Sequence, residues 1–127
     1  MVNKRVYNPS KRDEEMIKWQ IQPFAPDTPI AGPVELSVYF FLPIPPKTGR
    51  RLREQMINRV ILPDHAPDVD NLAYIVTNAL KKLVYDDDKR VCALHMYKFY
   101  GETPKTVVRV RPILQAQPLG LRDADDI

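Results

Sequence analysis

Residues 67–91 read PDVDNLAYIVTNALKKLVYDDDKRV, and the spacing of their apolar positions organises everything around them. Val69, Leu72, Val76, Ala79, Leu80 and Leu83 recur at helical intervals, which predicts a helix over 70–83 with one buried stripe. Asp68, directly after Pro67, stands where an N-cap belongs, and Asp70 falls in the first turn, where the helix dipole favours an acid. At 1.5 Å per residue such a helix is about 20 Å long. Asp86, Asp87 and Asp88 then occupy the turn ahead of the next apolar run. To reach Asp68 and Asp70 they need the chain after Leu83 to double back along the helix. A few extended residues cover roughly 7–17 Å, so the spacing permits the meeting without requiring it.

Outward from this centre, Val34 to Leu42 alternates, with Val34, Leu36, Val38, Phe40 and Leu42 on one face, and predicts a strand stopped by Pro43, Pro45 and Pro46. Lys47 to Val60 is helix-compatible and carries Arg50, Arg51, Arg53 and Arg59. Val91 to Tyr100 and Lys105 to Ile113 read as two strands joined by Gly101-Glu102-Thr103-Pro104, a connection of hairpin length. On the second of them Val107, Arg109 and Arg111 share one face and Val108 and Val110 the other. Residues 10–22 predict a helix capped by Ser10, prolines 23, 26, 29 and 33 an extended connector, and residues 115–127 a loose acidic tail. The expected architecture is α+β: one small domain over residues 1–114, with a mixed sheet whose C-terminal β-hairpin packs against two to three helices.

Composition narrows the function classes. The chain has 127 residues, 44% of them hydrophobic and 28% charged, which describes a folded protein and not a disordered one. Its longest apolar stretch, Val38 to Ile44, is far short of the roughly 20 residues a membrane span needs, and the N-terminus lacks the apolar centre of a secretory signal. One cysteine, Cys92, excludes an internal disulfide and fits a reducing cytoplasm; it reads as a core or half-buried thiol. Trp19 reads as core or interface. Four scattered glycines leave no phosphate-binding loop and no nucleotide-cofactor fingerprint. The net charge is +3, yet setting aside the two aspartate clusters and the three aspartates near the C-terminus leaves 19 basic against 8 acidic residues. A basic body around an acidic centre suits a nucleic-acid enzyme with a metal site, and ordinary surface charge would also produce it.

A carboxylate cluster without nearby His or Cys selects hard cations such as Mg²⁺ or Mn²⁺. Such an ion can bind a phosphate oxygen and neutralise charge in the transition state. The plainer alternative stays open beside it: Asp68 a cap, Asp70 a first-turn acid, Asp86–Asp88 a solvated turn. His65 and His95 stand 30 residues apart in sequence and suggest no nucleophilic triad. Arg50, Arg51, Arg53 and Arg59, with Lys98, Lys105, Arg109 and Arg111, are candidates for phosphate contact or for a solubilising face.

Taken together, Pro67-Asp68-Val69-Asp70-Asn71-Leu72, Asn78-Ala79-Leu80, Val84-Tyr85-Asp86-Asp87-Asp88 with Val91, and the strand Leu94 to Lys98 resemble the RusA family of Holliday junction resolvases. A looser likeness runs over residues 25–112. The resemblance implies a mixed α/β fold and a homodimeric, Mg²⁺-dependent endonuclease (Mn²⁺ being possible), often of phage or prophage origin, that cuts four-way DNA junctions by paired symmetric nicks. It assigns the catalytic, metal-holding carboxylates to Asp68, Asp70 and Asp88, with Asp87 in support. Arg50, Arg51, Arg53 and Lys98 are the DNA-binding candidates. One position departs from the family: a lysine is usual four residues after the second motif aspartate, and Tyr74 stands there. Tyrosine offers a hydrogen bond but no charge at neutral pH, so another basic residue substitutes (Lys98 reaches the site if its strand packs there), or the protein is slower than its relatives, or it is an inactive junction-binding module. A metal-dependent phosphohydrolase of small esters is a third reading.

Overall fold

The structure, a computed structural model, describes residues 11–114. The elements run α1 (Lys11–Ile21), β1 (Val34–Pro43), α2 (Arg50–Ile57), α3 (Val69–Leu80), β2 (Val91–Gly101) and β3 (Lys105–Pro112), with 3₁₀ turns at Gln22–Phe24 and Asp88–Arg90. The α+β class and the mixed sheet are as expected. The Ser10 cap and the tail over 115–127 lie outside the described residues.

β1 is the centre of the sheet because its alternation is the most regular in the chain. Val34, Leu36, Val38, Phe40 and Leu42 are all at most 1% exposed, each contributing about 1.5–3 kcal/mol of burial. Leu72, Val76 and Leu80 of α3 pack on this face, and Ile17 and Ile21 of α1 close over it. A smaller cluster of Leu42, Ile44, Met56 and Tyr100 seats α2 at the far end.

The two C-terminal strands do not form the expected hairpin. The strand order is β2-β1-β3, with β2 parallel and β3 antiparallel to β1. A central strand whose inner face is wholly buried gains by pairing along both edges, and the short connection suffices to cross its end. Strands two places apart are separated by only about 10 Å. The crossing passes so close to β1 that a Cβ on Gly101 would lie 2.9 Å from the Cβ of Phe41, so glycine is required there. Loop length alone does not distinguish a turn between neighbours from one that steps over a third strand.

Three smaller departures follow from local chemistry. α3 stops at Leu80, short of the expected Leu83, because Lys81 turns extended and Lys82 takes a left-handed backbone at φ 66°. Its buried stripe includes Ile75, while Val69 is exposed. Cys92 is exposed, not buried: Val34 pairs with Val91 and Glu35 with Ala93, leaving Cys92 as the extra residue of a β-bulge. Trp19 is 75% exposed, which removes it from the core.

The outer face of the sheet carries a charged corner. Glu35 accepts hydrogen bonds from Arg111 Nε and Nη2 at 2.9 and 2.7 Å, and its other oxygen lies 2.8 Å from His95 Nε2. Arg111 first and His95 second hold the Glu35 carboxyl below the usual range, against a smaller opposing effect of burial. A carboxyl depressed by folding adds stability above its unfolded pKa and loses it as pH falls through the folded value. Thermal midpoints should therefore fall below about pH 4.3, and Glu35→Gln should flatten that acid limb; an unchanged limb in the variant would count against the corner.

Candidate active site

The chain leading into α3 is fixed from outside the helix. Lys98, on β2, donates from Nζ to the carbonyl oxygens of His65 at 2.7 Å and Pro67 at 3.0 Å. Two residues on, Tyr100 donates to His65 Nε2 at 3.3 Å, and His65 Nδ1–H donates to the Ala66 carbonyl at 2.8 Å. Pro63 and Pro67 are buried beneath this bracing. An ammonium has three donors, so Lys98 retains one beyond these two.

The braced segment delivers Asp68 to the N-cap position at φ −74° and ψ 144°, as the sequence predicts, but its side chain makes no capping bond. Leu72 N–H instead bonds the Asp68 carbonyl at 3.1 Å. Among the described residues neither Asp68 nor Asp70 has a hydrogen-bond or ion-pair partner for its carboxylate, and both are exposed. The positive end of the α3 dipole offsets part of their repulsion. Tyr74, one turn beyond Asp70, is 68% exposed.

After α3 the chain does reverse. Ile30 N–H bonds Val84 O at 2.9 Å and Asp86 N–H bonds Ile30 O at 3.0 Å, pinning this return against the segment ahead of β1. Tyr85 is fully buried and donates to the Thr77 carbonyl at 3.0 Å, seven residues along α3 from Asp70. Burial first, and the charge of Asp88 second, push the Tyr85 phenol well above its ordinary pKa.

The three aspartates of this turn differ in their commitments. Asp86 is clasped by Arg90 at 2.7 and 3.1 Å, which holds its carboxyl below the usual range. Asp87 accepts from Lys89 N–H at 3.0 Å, and that bond, then the Asp88 carboxyl beside it and the charges of Lys89 and Lys81, lower it too. Asp88 is exposed. Among the described residues, no three His, Cys, Asp or Glu side chains stand close enough together to hold a metal ion. The donor chemistry nevertheless fits a hard divalent cation. The available groups are carboxylates, and the one nearby imidazole is engaged at both nitrogens.

The basic candidates separate. Arg50 is exposed and only loosely paired with Glu54 at 3.7 Å; Arg51 is exposed and Arg53 half-buried, all three on α2. Lys98 is engaged with backbone oxygens, and Arg59 lies with its guanidinium 4.4 Å from the centre of the Phe99 ring. The bracing roles of His65 and Tyr100 are not visible from sequence spacing, because each depends on a contact between β2 and a loop more than 30 residues earlier. No helix among the described residues is long and apolar enough to cross a membrane.

A family model described as endodeoxyribonuclease RusA matches residues 2–111. The chain is also similar to the uncharacterized protein YqaN of Bacillus subtilis strain 168, 36% identical over 90 residues that make up 69% of this chain and 63% of that protein. No solved structure matches. The match spans both aspartate clusters, the braced segment before Asp68 and all three strands, so what it identifies is the whole arrangement described above and not one short motif: the chain belongs to the RusA endodeoxyribonuclease family.

Proposed function

We propose that this protein is a structure-specific endonuclease that cuts four-way DNA junctions by paired symmetric nicks, acting as a homodimer in the cytoplasm. The observation that carries the reading is the pair of carboxylates, Asp68 and Asp70, without partners among the described residues, on a segment that Lys98 braces from β2. Asp68, Asp70 and Asp88, which do not stand together around one point among the described residues, would have to close on Mg²⁺ or Mn²⁺ to hold it, with Asp87 in support; once bound, the ion supplies Lewis acidity at the scissile phosphate. Lys98 and His65 keep the segment before Asp68 from drifting, and positioning errors near 1 Å can cost about 10²-fold in rate. Arg50 and Arg51, exposed on α2, with the half-buried Arg53 beside them, would neutralise phosphates of the DNA arms, making binding steeply salt-dependent. A two-fold dimer suits a junction cut at two symmetric strands.

The test is cleavage of a labelled synthetic four-way junction in Mg²⁺ and in EDTA, beside linear duplex. Symmetric nicks on the junction in Mg²⁺ only are expected. Junction binding without nicks in either Mg²⁺ or Mn²⁺ would make the protein a binding module. Turnover of small phosphate esters with no preference for branched DNA would make it a phosphohydrolase.

Tyr74 gives the binding-module reading its specific support, since it is exposed one turn beyond Asp70 and carries no charge at the position where the family usually has a lysine. Tyr74→Lys should raise the cleavage rate about tenfold or more, the scale on which a well-placed charge acts in a transition state. A rate unchanged by the substitution would show that the site does not use a charge from that position.

A further inference from the structure

The face of the sheet turned away from α1 and α3 mixes aromatic and charged side chains and is only partly covered by the described residues. Tyr39, Tyr97, Phe99 and Phe41 form one continuous run across β1 and β2. Tyr39 and Tyr97 stack at 5.2 Å with planes 9° apart, Tyr97 and Phe99 at 5.7 Å and 13°, and Phe41 leans on Phe99 at 5.9 Å. Tyr97 remains 41% exposed. Cations surround the run. Arg59 lies over Phe99 at 4.4 Å, and Lys105 Nζ is 5.3 Å from the Phe41 ring centre. Arg109, exposed and with no partner among the described residues, registers beside Ser37 one row away. Arg59 reaches its place through a left-handed backbone at φ 64°, a conformation that costs an ordinary side chain free energy and is usually left to glycine.

Charge decides which partner suits this surface. Glu35 is the one acid at a strand position on this face, and Arg111 and His95 already engage it. Two such faces brought together would oppose cation to cation, whereas a polyanion with flat aromatic groups would satisfy both the rings and the charges. Bases in a duplex present their flat faces to one another. Unpaired nucleotides present them to the protein, and stacking on aromatic side chains is worth about 1–3 kcal/mol per base. We infer that the open sheet face binds unpaired DNA nucleotides, with bases stacking on Tyr97 and its neighbours and phosphates meeting Arg109, Lys105 and Arg59. This rests on the nuclease reading for its choice of DNA, and it gives that enzyme a site for the unstacked strands of a branched substrate. The alternation of β2 links the two sites: Tyr97 and Phe99 face the platform, while Lys98 between them braces the segment before Asp68.

The test is fluorescence anisotropy of a labelled deoxythymidine oligonucleotide of about 20 nucleotides with the full chain in EDTA, beside a duplex of equal length. Tyr97→Ala should weaken oligonucleotide binding at least about fivefold, with Tyr97→Phe near the parent and duplex binding little changed. Arg109→Gln, at an exposed position that does not threaten folding, should lower the slope of log affinity against log salt by about 0.7. Equal oligonucleotide affinity in the parent, Tyr97→Ala and Arg109→Gln would overturn the inference. So would a Tyr97→Ala protein that sediments at half the parent's mass and loses oligonucleotide and duplex binding alike, since the face would then join two copies. Because no bond is cut, oligonucleotide binding that depends on Tyr97 in a protein that never nicks junctions would sink the nuclease reading and leave the platform standing.

Discussion

Asp70→Asn should lower junction cleavage by on the order of 10³-fold, the scale of losing an essential electrostatic group, while junction binding in EDTA is retained or tightened. Asp70 is exposed in the first turn of α3 and has no partner among the described residues, so nothing in the packing depends on it. Asparagine preserves the shape, and the only folding cost is the lost interaction with the helix dipole, about 0.3–1 kcal/mol. The thermal midpoint should therefore move by only a few degrees. Cleavage at the parent's rate would remove Asp70 from the chemistry. A collapsed thermal transition would instead make it a structural acid of the helix start.

Lys98→Met should cost about 2–4 kcal/mol of stability, because two hydrogen bonds from an ammonium are lost and two carbonyl oxygens are left without their donor. Methionine keeps most of the aliphatic stem, so the loss reports the charge and its bonds more than packing. Amide hydrogens of residues 64–66 and 68 should exchange faster than in the parent while those of β1 do not, and cleavage should fall even at temperatures where the variant is folded. Salt dependence separates two roles for this side chain. If Lys98 acts only as the brace, the slope of junction binding against salt stays that of the parent. A slope shallower by about one unit would show a phosphate contact as well. Unchanged stability and unchanged exchange would refute the brace.

Periodicity exposed those parts of the fold that one segment decides by itself. β1 and the stripe of α3 are legible because each repeats its apolar residue at a fixed interval, and burial follows the interval. The order of the strands is not legible, because it depends on whether three residues after Gly101 turn beside β2 or step across β1, and both fit the same turn chemistry. The aspartates divide in the same way. Their positions at the N-terminal end of α3 and in the turn before β2 can be read from spacing. That Asp86 and Asp87 are engaged by Arg90 and the Lys89 N–H, while Asp68 and Asp70 have no partners among the described residues, is a matter of side-chain geometry that no spacing encodes. Lys98 stands out in sequence as a charge on a strand; only the docking of the loop before α3 makes it a clamp.

The bulge at Cys92 has a consequence for everything downstream of it. Side chains of a strand alternate strictly, so whichever residue faces inward at the start sets the phase for the rest. β2 begins with Val91 against the core and yet has Met96 and Tyr100 on that same side, an odd number followed by even ones. One supernumerary residue is the only way to reconcile them. A β2 without it would carry Tyr97 and Phe99 into the hydrophobic interior and turn Lys98 and Tyr100 outward, stripping the acidic helix of its clamp and the outer sheet of its rings in a single half-step. Cys92 thus works as a phase shifter, and its thiol matters less than its count.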